Sequence, residues 1–321
     1  MPYFAGLQLR SNWGLSSEVE VASPLMVQQA IAKGAAVVFT PTVSVKDPLY
    51  DPLTAYTRFK LLSCGQEGCL ALTRPLSSSV EDVKHLLQVA NQGAKKVLSI
   101  AAGSLRDALT LIESVDVSID AVEFDVNLSG LLASKDLPYV AELAKELSST
   151  LNIPLMLKVS AASASLVSMA KIVTDAGSSA LILTPNIVYK VGKHFFRLHS
   201  PHISSTLLLG VAEDLMAVDI SLACVTRIDH DVLSTLVPLR LFDVTYMLHW
   251  MEYSKPVSQV SPPLAWKSIN RKLKIYAYPG ARYCPYGLIR GEGFVDGCNY
   301  CGVCLELNEP SLVELATIVA P

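Results

Sequence analysis

The stretch Pro154–Asn186, PLMLKVSAASASLVSMAKIVTDAGSSALILTPN, decides the fold. Its two ends, PLMLKVS and ALILTPN, are apolar without alternation. That pattern suits strands covered on both faces, as in a parallel sheet. Between them Ser163–Ala176 carries apolar residues at helical spacing, and Gly177 stands just past its end, where a left-handed cap is expected.

Outward from this unit the same alternation recurs. Apolar runs lie at Val19–Ser23, Ala35–Thr40, Lys95–Ala101, Ile119–Val126, Pro154–Val159, Ser179–Thr184, Asp219–Val225 and Leu239–Val244. Helix-period segments fall between them at Val80–Asn91, Leu105–Glu113 and Leu137–Leu147. Ser79 ahead of Glu81 and Asp82, and Asp136 ahead of Leu137-Pro138, are helix-start signals. Eight strands with intervening helices fit an α/β fold of the (β/α)8 TIM barrel type. An open doubly wound sheet shares the alternation, but no G-x-G-x-x-G follows the first strand, which favours the barrel. Two insertions interrupt the repeat. Asp47–Pro75, holding Cys64, Gly65, Gly68 and Cys69, reads as a hairpin. Asn186–Ser205 is basic, with Lys190, Lys193, His194, Arg197, His199 and His202.

Composition agrees with a large buried core. Of 321 residues, 51% are hydrophobic and 17% charged, with a mean hydropathy of +0.38. An average domain carries about 25% charged residues, so disorder is excluded. No run approaches the ~18 uncharged apolar residues of a spanning helix, and Glu213 and Asp214 interrupt the richest stretch, so no membrane span is expected. The first ten residues, MPYFAGLQLR, show no signal-peptide pattern. A net charge of −3 gives no nucleic-acid footprint. Seven cysteines without an export signal point to a reducing cytoplasm and to metal ligation rather than disulfides.

After Tyr253 the character changes. SKPVSQVSPP at Ser254–Pro263 reads as a linker, Leu264–Lys274 as helical, and the rest as a Gly- and Cys-rich tail. The expected organisation is a barrel over 1–253 and a linker plus small Cys-rich metal-binding appendage over 254–321. The tail cysteines Cys284, Cys298, Cys301 and Cys304 make a C-x13-C-x2-C-x2-C pattern, with Pro285 after the first. Three thiolates at two-residue separations plus a remote Cys-Pro resemble the ligation of a [4Fe-4S] cluster. Four cysteines also suit a structural zinc ion. Cys64, Cys69 and Cys224 read as small buried hydrophobes.

Four strand-end motifs, Val37–Ser44 (VVFTPTVS), Glu123–Ser129 (EFDVNLS), Pro154–Ser160 (PLMLKVS) and Ala180–Asn186 (ALILTPN), together resemble the dihydroorotate dehydrogenase family. That FMN-binding barrel is shared with the pyrimidine-reducing part of dihydropyrimidine dehydrogenase. The resemblance spans roughly residues 7–250. It implies a flavin oxidoreductase acting on dihydroorotate or a related pyrimidine, with electrons leaving through the tail cluster to an electron-transfer subunit of a homo- or hetero-oligomer. It implies FMN contacts from Thr40, Thr42, Asn127 and Lys158, the lysine stabilising charge that develops on the reduced ring. Asn127 and Asn186 would meet substrate, Ser129 would serve as catalytic base, and Thr226 and Arg227 would take the FMN phosphate.

The sequence also departs from the family. Pro41 replaces a lysine, the position of the base itself aligns with Gly130, and no glycine follows the seventh or eighth strand. These departures favour a different class, a catalytically degenerate barrel serving as a scaffold or electron-relay subunit. A metal-assisted hydrolase or imine-forming aldolase is the weakest class: no H-x-H follows the first strand, and an imine at Lys158 would need a lowered pKa.

Overall fold

The structure is a computed structural model. It describes residues 2–18, 24–45, 59–65, 68–73, 80–90, 93–161, 174–185, 187–191, 194–199, 215, 221–226, 239–242, 271–278, 289–295 and 313–317. Eight strands close into an all-parallel barrel. In chain order they are β1 (Trp13–Leu15), β2 (Val37–Phe39), β3 (Lys95–Ile100), β4 (Ala121–Asp125), β5 (Leu155–Ser160), β6 (Ala180–Thr184), β7 (Ser221–Thr226) and β8 (Leu239–Phe242). Closure is made by β8 on β1, with Arg240 opposite Trp13 and Phe242 opposite Leu15. Helices α1 (Pro24–Ala32), α2 (Val80–Ala90) and α3 (Leu105–Ser114) occupy successive crossovers, and α4 (Val126–Ala133) with α5 (Leu137–Thr150) fills the next. This is the expected (β/α)8 barrel.

Alternation along the strands builds two cores. Val97, Ala121, Met156, Ala180, Ile182, Ala223, Val225, Leu239 and Leu241 pack together inside. Their odd-numbered or even-numbered neighbours Leu98, Val122, Phe124, Leu157, Leu181 and Cys224 pack outward with helix residues such as Leu87, Leu111 and Leu143. A hairpin of Tyr3–Phe4 and Leu7–Gln8 turns through Ala5 and Gly6, both at positive φ. Its Phe4 and Leu7, with Leu9, join the inner core beside Ala36, Ala121 and Ala180, residues at the starts of strands. The N-terminal end of the barrel is thereby stopped with apolar side chains, and the polar residues gather at the other end.

Three expectations need correction. The first strand is Trp13–Leu15 and not Val19–Ser23, whose residues lie outside those described. A three-residue W-G-L run offers no β-branched signal; its Gly14 is there because β1 and β2 approach so closely that a Cβ would overlap Val37. Second, the asparagine–leucine–serine motif is helical. Strand β4 stops at Asp125, whose carboxylate caps α4 by accepting from Leu128 N at 2.9 Å. Third, Arg271–Ile275 is a strand where a helix was expected, paired with Gly293–Phe294 and Val313–Thr317. The helix expected over Ser163–Ala176 lies outside the described residues except at its last three positions.

The first insertion is the expected hairpin, Phe59–Gly65 on Gly68–Thr73, with Cys64 and Cys69 as facing positions. The second, Ile187–Val191 on His194–His199, is also a hairpin. The two join edge to edge, Arg197 opposite Thr73, into one four-stranded antiparallel sheet. Among the described residues no helix is long and apolar enough to cross a membrane.

Candidate active site at the mouth of the barrel

Active sites of such barrels form at the C-terminal ends of the strands, and here that end holds a buried charged cluster. Inward parity carries from Val97 to Ser99, from Ala121 through Glu123 to Asp125, and from Met156 to Lys158. Register sets Ser99 opposite Glu123 and Asp125 opposite Lys158. The chain leaving β1 adds Ser16, Ser17 and Glu18, and the chain leaving β2 adds Thr40 and Thr42.

Lys158 is the hub. Its Nζ lies 2.8 Å from Asp125 Oδ2, 3.3 Å from Glu18 Oε1 and 3.8 Å from Glu123 Oε1, and it donates to Ser17 Oγ at 3.0 Å. The side chains of Lys158 and all three acids are at most 1% exposed. Burial by itself lowers the affinity of an ammonium for its proton. Asp125, Glu18 and Glu123 overcome that, so the Lys158 pKa is raised above its ordinary value. A lysine poised to form an imine needs the opposite shift, so the imine-forming class finds no support. Glu123 is also raised, chiefly by burial and further by Asp125, against the lowering effects of Lys158, Ser17 and Ser99.

Hydroxyls extend the cluster. Ser99 Oγ donates to Glu123 Oε1 at 2.6 Å, and Thr42 Oγ1 is 3.0 Å from Ser99 Oγ. Thr40 Oγ1 accepts from Ser99 N at 3.0 Å. Thr40, Thr42 and Lys158 are therefore brought to one place. Asn127, in the first turn of α4, is half-buried; its Nδ2 is sealed and, among the described residues, has no hydrogen-bond partner. Ser129 is fully buried, with its Oγ accepting from Ala102 N at 3.1 Å, an anchor between α4 and the end of β3. A Cβ at Gly130 would meet Val140 and the Lys135 carbonyl, so position 130 faces α5.

Thr226 ends β7, and its strand placement is all that is described of it. Asn186, Arg227 and the four tail cysteines Cys284, Cys298, Cys301 and Cys304 lie outside the described residues, as do Lys193 and His202. Among the described residues no group of three or more His, Cys, Asp or Glu is placed to hold a metal; the three acids enclose the lysine. Cys224 is buried against the outer core, and burial pushes its thiol up to about 12, an unreactive hydrophobe as expected.

Glu18, Glu123, Asp125, Ser17 and Ser99 were missed as site residues. A signal existed: an acid in a strand covered on both faces is rare unless paired, and E-x-D at Glu123 and Asp125 puts two on one face.

No protein-family profile matches this chain, and no curated protein matches it. Among solved structures it is similar to mandelate oxidase with 3,3-difluoro-2-hydroxy-3-phenylpropionic acid, at a TM-score of 0.45 and 12% identity over 78% of this chain and 70% of that one. Mandelate oxidase with (S)-2-phenylpropionate is similar at 0.45 and 13%, over 77% and 68%. A mandelate oxidase mutant with the C4a-OH-FMN adduct is similar at 0.44 and 13%, over 78% and 70%.

Proposed function

We propose that this chain is a flavin-dependent oxidoreductase of the dihydroorotate dehydrogenase type, working in the cytoplasm and oxidising dihydroorotate or reducing a related pyrimidine. One observation carries the reading. Asn127 Nδ2 is a buried donor with no hydrogen-bond partner among the described residues, at the position where the resemblance puts an amide that binds flavin or substrate. A sealed, unsatisfied amide costs about 1–3 kcal/mol, which a bound carbonyl or ring nitrogen would recover.

FMN bound at this mouth would supply the hydride acceptor. The chain's own residues would hold and polarise the reactants. Asn127 would donate from Nδ2. Lys158 supplies positive charge at the end of β5, and with three of the chain's own oxygens within 3.3 Å of Nζ it acts through its field. Thr40 and Thr42 line the edge between β2 and β3. Thr226 and Arg227 would take the phosphate, and Asn186 the substrate. Cys284, Cys298, Cys301 and Cys304 would hold a [4Fe-4S] cluster, or a zinc ion in its place, and a cluster there would connect the barrel to an electron-transfer subunit.

A second reading is favoured by a specific observation. Lys158 is enclosed by its own carboxylates, and Ser129 is committed to Ala102 N and fully buried. Both would follow if the barrel were a scaffold or relay subunit beside an active partner. Absorption spectra with iron, zinc and flavin analysis of one purified sample separate the two. Flavin bands that dihydroorotate bleaches anaerobically support the first reading. Iron or zinc without flavin overturns it in favour of the second.

A further inference from the structure

Cys64 stands opposite Cys69 near the tip of the first inserted hairpin, Phe59–Gly65 on Gly68–Thr73. Only Gln66 and Glu67 separate the two strands, and the pair that closes the connection is Gly65 with Gly68. In a two-residue hairpin the closing pair is the hydrogen-bonded one, and the two kinds of pair alternate outward from it. Cys64 and Cys69 therefore occupy a non-hydrogen-bonded pair. Such a pair brings its Cα atoms to about 4.5 Å and its Cβ atoms to roughly 4.5–5.5 Å. A disulfide spans Cα separations of about 4.4–6.8 Å and Cβ separations of about 3.5–4.5 Å. The Cα condition is met, and the Cβ atoms need close only slightly. Gly65 and Gly68, on the loop side of the pair, leave the backbone free to make that adjustment. On the other side the register shifts between Leu61 and Ser63, and such a bulge interrupts the ladder that would otherwise hold the tip rigid.

We propose that Cys64 and Cys69 form a reversible redox site, a dithiol that exchanges with a small-molecule disulfide of the glutathione class to close a bond across the hairpin. This replaces the reading of both as small buried hydrophobes. Cys224 shows the contrast: it lies in the outer core, where burial pushes its thiol up to about 12. The hairpin leaves the C-terminal end of β2, and Gly68–Thr73 carries His194–His199 on its other edge. Ile187–Val191, the far strand of that sheet, lies beside α4. A bond at the tip thus staples a sheet built onto the mouth end of the barrel. The inference goes beyond the oxidoreductase reading and does not rest on it.

In the exchange, the thiolate of one cysteine attacks the small disulfide, forms a mixed disulfide and releases one thiolate. The facing cysteine then attacks the protein sulfur of that mixed disulfide, closing the bond between positions 64 and 69 and releasing the second thiolate. The two cysteines give up two protons and two electrons, and the small disulfide takes both and leaves as two thiols. A reducing thiol pool runs the steps backwards, so in a reducing cytoplasm the bond is transient. Register favours the second attack, because the two residues are held face to face rather than meeting by diffusion.

The test equilibrates the full chain with mixtures of reduced and oxidised glutathione, then quenches with iodoacetamide and digests with trypsin. Cleavage after Lys60 and Lys84, with Arg74 protected by Pro75, releases one peptide that holds Cys64 and Cys69 and no other cysteine. The expected peptide carries two alkyl groups at reducing poise. It converts in one two-electron transition to a form with none, lighter by two hydrogens, which dithiothreitol restores. In Cys64→Ser, Cys69 is expected to retain glutathione, because no facing thiol displaces it. Two alkyl groups at every poise, a glutathione adduct that persists on the unaltered peptide, or a bond to any other cysteine overturns the proposal. So does protection from alkylation that a chelator removes, which assigns a metal instead. Circular dichroism of the same samples is expected not to change across the transition; loss of structure at oxidising poise would show that the bond forms only in the unfolded chain, and overturns it. Should Cys64→Ser fail to fold, the transition in the unaltered protein decides by itself.

Discussion

At position 158 an ammonium sits among three carboxyl groups at the C-terminal ends of two adjoining strands, and its removal should be felt throughout the barrel. Lys158→Met replaces it with a neutral side chain of similar length and takes away the cation that Glu18, Glu123 and Asp125 share. Breaking a buried pair in this way costs about 3–5 kcal/mol, so the urea midpoint should fall sharply at neutral pH. A loss under about 1 kcal/mol would mean that water reaches the cluster. Glu123 gives a second expectation with a definite sign. Its folded-state pKa is raised above the ordinary 4.5, so its contribution is full below 4.5 and declines as pH rises from there toward its folded value. The stability of the unaltered protein relative to Glu123→Gln should therefore fall with increasing pH above 4.5. A rise over that range in chemical denaturation would contradict the upward shift of Glu123. At this scale the sequence made Lys158 and Asn127 legible, because their types are unusual at strand ends. It hid the partners of the lysine, because Glu18 and Ser17 lie 140 and 141 positions away in the chain, across the barrel.

Among the elements, β1, α4 and the strand Arg271–Ile275 were misread, the first two for opposite reasons. Strand β1 is three residues long and built around Gly14, which admits the backbone of β2; propensity assigns such a run to a turn. Gly14→Ala should clash with Val37 and cost on the order of 1–3 kcal/mol, as overpacking does, read as a lowered melting temperature. An unchanged melting temperature would mean that β1 and β2 separate more easily than their packing implies. Helix α4 begins directly where β4 ends, since Asp125 is at once the last strand residue and the helix cap. Hydrophobic periodicity cannot show a boundary with no loop in it. The better-read helices carried their own caps: Asp136 accepts from Tyr139 N at 3.4 Å, as the aspartate ahead of Leu137-Pro138 predicts. Strands β2 to β8 were placed to within about two residues, in keeping with the ambiguity of element ends.

For the whole molecule, the barrel and the excursions are separable questions. The two insertions were legible as interruptions of the repeat, yet nothing local says that Arg197 pairs with Thr73; that pairing joins segments over a hundred residues apart. The tail is the remaining question. We expect Cys298→Ser to abolish bound iron or zinc while leaving the barrel's cooperative unfolding in place, measured by metal analysis and circular dichroism on the same preparation. Loss of the whole fold would show that the tail is integral to it. The amino-acid order by itself determined the strand-and-helix alternation, the large doubly covered core and the low charge, because those depend on the spacing of apolar residues along a local segment. Only the tertiary structure decided where the charges go. Closing the sheet turns Ser99, Glu123, Asp125 and Lys158 inward at one end, and there a lysine meets three acids that sequence distance keeps apart.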